Sequence, residues 1–288
     1  MRPLFGLLLL IVLAAPLSAQ EIPYFVTYDH HLEEPGNLEV ALIQTGGFPG
    51  RGQPGFAAWL LELEYGATGR WTTELYLEGQ ATRGQSTVFT GWRWENRFRP
   101  LKREHRINPI LYFEYENINE ASRVHKEIVG HAESEREPNA VLRGEKERAL
   151  EAKLILSSQV RDWNISENFI VEKNLVENEG VEFGYALGVS RALARLASGS
   201  TCRWCRENFS AGVELYGGLG SIERFGFAQT AQYLAPAISW RVGEGSAVKF
   251  SPAFGLTRNS ATLLLRFAYS YEVPNFGPRV ASLFRRQK

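Results

Sequence analysis

The stretch from Phe56 to Tyr65, FAAWLLELEY, decides the fold because its two sets of alternate residues differ in character. One set carries Trp59 and Leu61, whereas the other set ends on Glu62 and Glu64. A period of two places the two sets on opposite faces of a β-strand. An apolar, aromatic face opposite a charged face is typical of a strand in a transmembrane β-barrel, whose outside meets lipid and whose inside is polar.

The same alternation recurs between Asn37 and Glu272 in twelve segments of strand length. These segments span residues 37–46, 56–65, 71–80, 87–98, 109–117, 149–160, 163–173, 180–190, 209–219, 232–242, 247–257 and 261–272. Bacterial outer-membrane barrels contain an even number of antiparallel strands of about ten residues each. The pattern therefore predicts an all-β fold, a transmembrane antiparallel β-barrel of about twelve strands that forms one domain over residues 20–288. A secreted β-sandwich or lipocalin-like barrel also alternates with period two, but one soluble core would have to bury the apolar face of all twelve strands.

Residues 1–19 have the three parts of a secretory signal peptide. Arg2 precedes the apolar run from Leu4 to Leu13, and the small-residue exit runs from Pro16 to Ala19. No Cys lies near this exit, so we do not expect a lipid-modified terminus. Because no later stretch approaches eighteen consecutive apolar residues, the sequence predicts that the exported chain crosses a membrane with strands.

The connections alternate in length as a barrel requires. If the first strand begins in the periplasm, tight turns are expected after even strands, as at Gly66 to Arg70 and Gly243 to Ser246, and the long polar loop 118–148 lies outside. An aromatic girdle is predicted near the inward turns, formed by Tyr65, Trp71, Phe98, Trp163 and Trp240. Connections 99–108 and 191–208 are longer than such turns usually are, which leaves open a further pair of strands.

Two local features depart from the pattern. Glu167 interrupts the apolar face of the seventh strand, which predicts a β-bulge. Beyond Tyr271 the chain continues as a basic tail over residues 273–288, and this tail either is periplasmic or forms a further strand that ends at Phe284.

The polar face of the second to fifth strands supplies the candidate lumen residues, among which acids outnumber bases. They are Glu62, Glu64, Glu74, Glu78, Arg93, Glu95, Arg97, Glu114 and Glu116. Two interpretations remain open. An open lumen with this balance would concentrate cations and repel anions. Alternatively, Arg93 and Arg97 bridge the glutamates into a network that fills a narrow barrel, because charges in a confined interior must be paired or hydrated.

The connections hold the other candidate sites. Cys202 and Cys205 are the only cysteines, and in an export compartment they predict a local disulfide rather than a redox or zinc site. No cofactor or metal is expected. The alternative is a divalent cation bound by loop residues, either by the set His125, Glu127, His131 and Glu133 or by the set His30, His31, Glu33 and Glu34.

Catalytic residues are sparse in the predicted strands. Barrels that cleave lipids resemble one another in holding a Ser and His pair on the outer wall. All five histidines of this chain fall outside the predicted strands, so the sequence places no such pair on the wall. The sequence therefore predicts that the chain is not an enzyme. The alternative is a hydrolase that uses loop residues, namely Ser122, His125, His131 and Ser134.

The stretches Trp59 to Tyr65, Trp71 to Glu78 and Trp92 to Phe98, together with the signal peptide, resemble Gram-negative outer-membrane β-barrel proteins. Within that group the pattern is similar to outer-membrane proteins linked to uptake of aromatic compounds. The resemblance implies location in the outer membrane and contact with its lipid. Barrels of this type usually end on an aromatic residue, and the basic tail of this chain departs from that rule.

The sequence thus favours a monomeric passive pore or narrow solute channel whose acidic lumen disfavours anions, with small solutes as partners. The alternative is a plugged structural or adhesion-type barrel that binds a partner through its external loops. The 32 Lys and Arg residues balance 32 Asp and Glu residues, so there is no global positive field for nucleic acid.

Overall fold

A computed structural model describes residues 22–50, 52–124, 128–131, 138–176, 180–194 and 202–285. The predicted signal peptide lies outside these residues. No helix in this described part of the chain is long and apolar enough to span a membrane.

Twelve antiparallel strands close into a barrel, in which each strand pairs with its neighbours in sequence and the first pairs with the last. The strands are β1 (Leu38–Phe48), β2 (Phe56–Thr68), β3 (Trp71–Thr82), β4 (Thr87–Phe98), β5 (Asn108–Asn119), β6 (Lys146–Val160), β7 (Trp163–Asn174), β8 (Glu182–Ala192), β9 (Phe209–Ser221), β10 (Gln232–Gly243), β11 (Ser246–Gly255) and β12 (Leu263–Val273). Two short helices, α1 (Asn139–Leu142) and α2 (Phe276–Arg285), are not part of the barrel wall. The predicted fold class and strand count are confirmed.

The alternation of the sequence becomes the two faces of the wall. On β4, Trp94 is 51% exposed, whereas the adjacent Glu95 is fully buried. Paired strands keep the two faces in register, since Leu75 lies opposite Trp94 and Glu74 lies opposite Glu95. The outer face is therefore an apolar band suited to lipid, and the glutamates and arginines of β3 and β4 point into the barrel.

The connections divide the barrel into two ends. Even-numbered strands end in turns such as residues 161–162 and 244–245, and this end, which we call the inner end, also holds the start of β1 and the end of β12. The opposite, outer end carries the long connection between β5 and β6. Residues 99–107, and the described residues between β8 and β9, contain no strand, so the open alternative of a further strand pair is wrong there.

The predicted bulge at Glu167 is wrong. This residue pairs in unbroken register with Leu156 and Leu187, and its side chain is exposed on the outer face. A shift of register occurs instead between β3 and β4, beside Gly91. Gly91 has a φ of +149°, and a Cβ there would lie 2.3 Å from the backbone oxygen of Asn117, so this close approach of strands requires glycine.

The alternative of a further strand ending at Phe284 is also wrong, because residues 276–285 form α2. Pro274 lacks the N–H group that would continue the strand ladder, and Asn275 turns the chain with a φ of +56°. The backbone N–H of Gly277 then donates to the carbonyl of Gly36 at 2.9 Å. This bond fixes the start of α2 at the inner end of the barrel.

Candidate functional site in the barrel lumen

Residues 22–36 precede β1 and run inside the barrel, and we call them the lumen segment. The carboxylate of Glu214 on β9 accepts hydrogen bonds from three consecutive backbone N–H groups, those of Phe25 at 2.9 Å, Val26 at 2.9 Å and Thr27 at 2.7 Å. Hydrogen bonds to an ionised acceptor are stronger than neutral ones. A single buried carboxylate thus satisfies backbone donors that strand pairing would satisfy elsewhere.

Tyr28 carries the lumen segment across the barrel. Its backbone N–H donates to Oδ1 of Asn168 at 2.7 Å, and the amide of Asn168 donates back to the Tyr28 carbonyl at 2.9 Å. The Tyr28 hydroxyl donates to Glu95 at 2.9 Å, on the far side of the lumen. Its ring lies 5.3 Å from the ring of Tyr112 and 4.9 Å from the ammonium of Lys153. Tyr28 therefore obstructs the middle of the barrel.

Asp29, His30 and His31 fasten the next part of the segment. The Nδ1 atom of His30 lies 2.8 Å from the hydroxyl of Ser157, and Asn164 donates to Asp29 at 3.2 Å. Burial by itself would raise the pKa of Asp29 and lower that of His31, but their mutual hydrogen bond and charge attraction outweigh burial. The pKa of Asp29 therefore lies below its ordinary value and the pKa of His31 above it.

The nine candidate lumen residues lie on the inner wall of β2 to β5, where most of them form ion pairs. Arg97 contacts Glu74, lies 2.6 Å from Glu64 and lies 3.0 Å from Glu95. Arg93 contacts Glu78 and lies 3.1 Å from Glu114. Glu116 lies beside Glu114 and Glu151. The last candidate, Glu62, is half-buried. Cross-strand neighbours bring these charges together, since β3 and β4 are paired.

The connection between β5 and β6 folds over the outer end, and we call its described residues 120–124, 128–131 and 138–145 the mouth segment. On one side, the Gln80 amide on β3 donates to the carbonyl of Ala121 at 2.9 Å. On the other side, the Gly130 N–H donates to the carbonyl of Phe183 on β8 at 3.1 Å, and Gly220 on β9 donates to Gly130 at 3.3 Å. The mouth segment thus spans the opening from β3 to β9.

The described residues enclose a larger and a smaller cavity inside the barrel. The larger, about 890 Å³, opens at the inner end and is lined by the lumen segment, β1, β2 and the connection between β10 and β11; we call it the vestibule. The smaller, about 130 Å³, lies between the lumen segment and the mouth segment, and we call it the chamber. The two share Phe25, Tyr28, Ile43, Glu62 and Tyr76 in their linings, so they lie on either side of these side chains.

Cys202 and Cys205 are joined by a disulfide at the inner end. Trp204, between them, stacks on Trp240 with ring centroids 4.1 Å apart. The predicted girdle residues Trp71 and Phe98 also stack at this end, at 5.8 Å. An aromatic cluster at one level of the outer face is the arrangement found at a membrane interface.

The described residues contain three groups whose donor atoms are close enough to share a cation, each within 4.8 Å. They are Asp29 with His30 and His31, Glu39 with Glu62 and Glu64, and Glu114 with Glu116 and Glu151. In the first group Asp29 already accepts bonds from His31 and Asn164, so its oxygens serve to hold the lumen segment. Of the loop set predicted for a metal, His125, Glu127 and Glu133 lie outside the described residues.

One hydroxyl and imidazole pair matches part of a hydrolase triad without completing it. His30 and Ser157 are within hydrogen-bond distance, but both are buried inside the lumen. An activated serine needs a histidine whose second nitrogen is oriented by a carboxylate. The neighbouring carboxylate, Asp29, pairs with His31 instead. Of the loop set predicted for a hydrolase, His125 and Ser134 lie outside the described residues.

Comparison with known proteins identifies the architecture. No protein-family model matches the chain, and no curated protein does. An outer membrane channel from Pseudomonas putida F1 superposes with a TM-score of 0.53 and 11% identity, over 85% of this chain and 98% of that chain. The fold is that of a Gram-negative outer-membrane β-barrel. This β-barrel is also similar, more distantly, to LpxR from Salmonella typhimurium, with a TM-score of 0.42 and 11% identity over 81% of this chain and 99% of that chain. Its similarity to the CymD monoaromatic hydrocarbon channel has a TM-score of 0.39 and 10% identity over 83% of this chain and 88% of that chain.

Sequence reasoning placed the charged wall but missed the lumen segment. Residues 22–36 show no strand period, so nothing local ties them to a wall that is 140 residues away at Asn168. One signal was available on the first half of β7, where the inner face carries the uncharged polar residues Asn164, Ser166 and Asn168. Buried amides and hydroxyls need hydrogen-bond partners, and the lumen segment supplies them.

Proposed function

We propose that this chain is a solute channel of the outer membrane, whose lumen segment and mouth segment narrow the passage. The observation that carries the proposal is the pair of neighbouring cavities inside the barrel, which share Tyr28 and Tyr76 in their linings. A purely structural barrel needs no vestibule of about 890 Å³ that reaches its middle. In this proposal the inner end faces the periplasm, the signal peptide directs export, and the apolar band contacts outer-membrane lipid.

The vestibule supports a preference against anions. Nine Asp and Glu residues line it, against four Arg and Lys residues. Of the acids, Glu64 and Glu74 are bound by Arg97, whereas no ion pair is formed by Glu62 among the described residues. Charge of one sign in a confined passage raises the local concentration of the opposite ion. We therefore expect small cations to pass more readily than anions at this end.

A second candidate is a plugged structural barrel, which the two obstructing segments favour. The lumen segment is held by Glu214 and Asn168, and the mouth segment is held by Gln80. If neither segment moves, no continuous path crosses the barrel. External loops would then carry the function by binding a partner.

Conductance separates the two candidates. The folded chain would be inserted in a planar bilayer under a salt gradient and compared with a variant that lacks residues 22–31. We expect small cation-selective current steps for the full chain, and larger and more frequent steps for the shortened variant. Glu62→Gln should move the reversal potential toward anion permeation.

Insertion is checked independently by the heat-dependent gel migration of a folded barrel. If both forms insert and neither passes current, the channel proposal is wrong and the plugged barrel is favoured. If both forms conduct equally, the lumen segment does not narrow the passage.

A further inference from the structure

Arg266 on β12 is a buried cation that faces the chamber and forms no ion pair within the described part of the chain. Its side chain is 4% exposed and lines the chamber. Among the residues that the structure describes, its Nε and Nη2 atoms have no hydrogen-bond partner. The neighbours in register are Thr45 and Ser251, both uncharged, and the guanidinium lies 5.2 Å from the ring of Tyr216.

Arg93 and Lys153, which also line the chamber, differ from Arg266 in this respect. Arg93 has Glu78 and Glu114, and Lys153 has Glu151 at 2.9 Å. A guanidinium keeps its proton in proteins, so Arg266 stays charged where it is buried. An unpaired buried charge is strongly unfavourable. In a solute passage, an anionic ligand that forms an ion pair with it would remove this cost.

The two unpaired nitrogens of Arg266 also indicate which anion it takes. Nε and one terminal nitrogen form the edge of the guanidinium that binds both oxygens of a carboxylate in parallel. Such a bidentate pair selects a planar carboxylate over a spherical ion. The ligand would therefore present a carboxylate to β12.

The other residues that line the chamber indicate the chemical character of the remainder of that ligand. Its lining includes the apolar side chains Phe25, Val26, Ile43, Leu60, Val124 and Ile128. Glu62 also lines it and would repel a second negative charge. At about 130 Å³ the chamber is small for a ligand pocket.

We propose that the chamber is a binding site for a small monocarboxylate with an apolar body, whose carboxylate is bound by Arg266. The proposal rests on the proposed function, because the solute reaches the chamber along the lumen. It also adds a step to that function, since an acidic vestibule slows anions in general while the chamber selects one chemical class.

Binding is tested with 4,4,4-trifluorobutyrate, followed by ¹⁹F NMR on the folded full-length chain in detergent. The neutral probe 4,4,4-trifluorobutyramide measures partition into micelles. Arg266→Gln is compared with Arg191→Gln, a matched control because Arg191 also lies over an aromatic ring, Trp163 at 5.1 Å, on the other face of the wall. We expect at least a tenfold weaker Kd for Arg266→Gln and no change for Arg191→Gln.

Thermal unfolding distinguishes a loss of binding from a loss of folded structure in the variants. Because Arg266→Gln removes an unpaired buried charge, we expect its Tm to equal or exceed that of the unaltered chain, so that lost binding does not reflect lost structure. The proposal is wrong if the unaltered chain binds no trifluorobutyrate, if the amide binds as tightly, or if Arg266→Gln binds within twofold of the unaltered chain. Bilayer currents recorded on the same samples report on the channel separately, so conductance without carboxylate binding rejects only the chamber site.

Discussion

Oε2 of Glu214 accepts the backbone N–H of Val26 at 2.9 Å, although the two residues are 188 positions apart in the chain. Glu214 is fully buried on β9, and the same carboxylate also binds the N–H groups of Phe25 and Thr27. A strand residue in the wall therefore holds a segment that has no secondary structure of its own. This anchor makes the position of the lumen segment sensitive to one side chain.

Replacing Glu214 by Gln should loosen the lumen segment. The amide keeps one acceptor oxygen and loses the charge, and hydrogen bonds to charged groups contribute about 1.5–3 kcal/mol each. We expect more frequent channel openings in planar bilayers, with an unchanged gel shift of the folded barrel. Glu167→Gln is the matched control, because Glu167 is exposed on the outer face of β7. Unchanged opening frequency in Glu214→Gln would show that this carboxylate does not govern the passage.

Arg97 is the centre of the ion-pair network. Glu64, Glu74 and Glu95 all contact it, so Arg97→Met leaves three carboxylates without their cation. Removing one partner of a buried ion pair typically costs about 3–5 kcal/mol, and we expect the free energy of unfolding to fall by about that amount. Denaturant titration in detergent measures it. The exposed Arg103 supplies the control, since Arg103→Gln should leave the unfolding midpoint unchanged.

The disulfide between Cys202 and Cys205 should contribute little to global stability. It closes a loop of four residues, and the chain-entropy gain of so short a loop is about 2 kcal/mol at most. We expect the double variant with both Cys changed to Ser to unfold within a few degrees of the unaltered chain. Its tryptophan fluorescence should change more, because Trp204 stacks on Trp240 beside the bond. A large loss of Tm would contradict this local role.

The strands could be predicted from the sequence because their period is local. Each predicted segment overlaps a strand of the structure, and the ends differ by at most three residues, as at the start of β6. Glu167 was misjudged because an exposed charge on the outer face does not itself break the ladder. The ion pairs followed from the same period, since Arg93 and Glu78 lie on neighbouring strands.

The contents of the lumen could not be predicted in the same way. Whether a charge on the inner face is paired depends on the closure of the barrel and on what enters it. Arg93 and Arg266 both follow the inward alternation of their strands, yet within the described residues Arg93 forms ion pairs with carboxylates and Arg266 does not. The mouth segment and the lumen segment bond to walls far away in sequence, and no period marks such contacts.

Glu33, in the lumen segment, links stability to pH. Burial, followed by the charges of Glu64, Glu272 and Glu34, raises the pKa of Glu33 to about 8. In the unfolded chain its pKa is about 4.3, so between these two values only the unfolded state ionises fully. The free energy of unfolding should therefore fall as pH rises from about 4.5 to 8. Below that window Glu33 is protonated in both states, so its titration does not lower stability there.

Glu33→Gln removes this titration. We expect the variant and the unaltered chain to have the same Tm at pH 4.5, and the variant to have the higher Tm at pH 8, because Gln keeps the neutral form that the folded state prefers. Thermal unfolding in detergent at pH 4.5, 6 and 8 gives the comparison. Glu223→Gln is the control, since Glu223 is exposed in the connection between β9 and β10. Parallel Tm curves for Glu33→Gln and the unaltered chain would show that Glu33 ionises equally in both states.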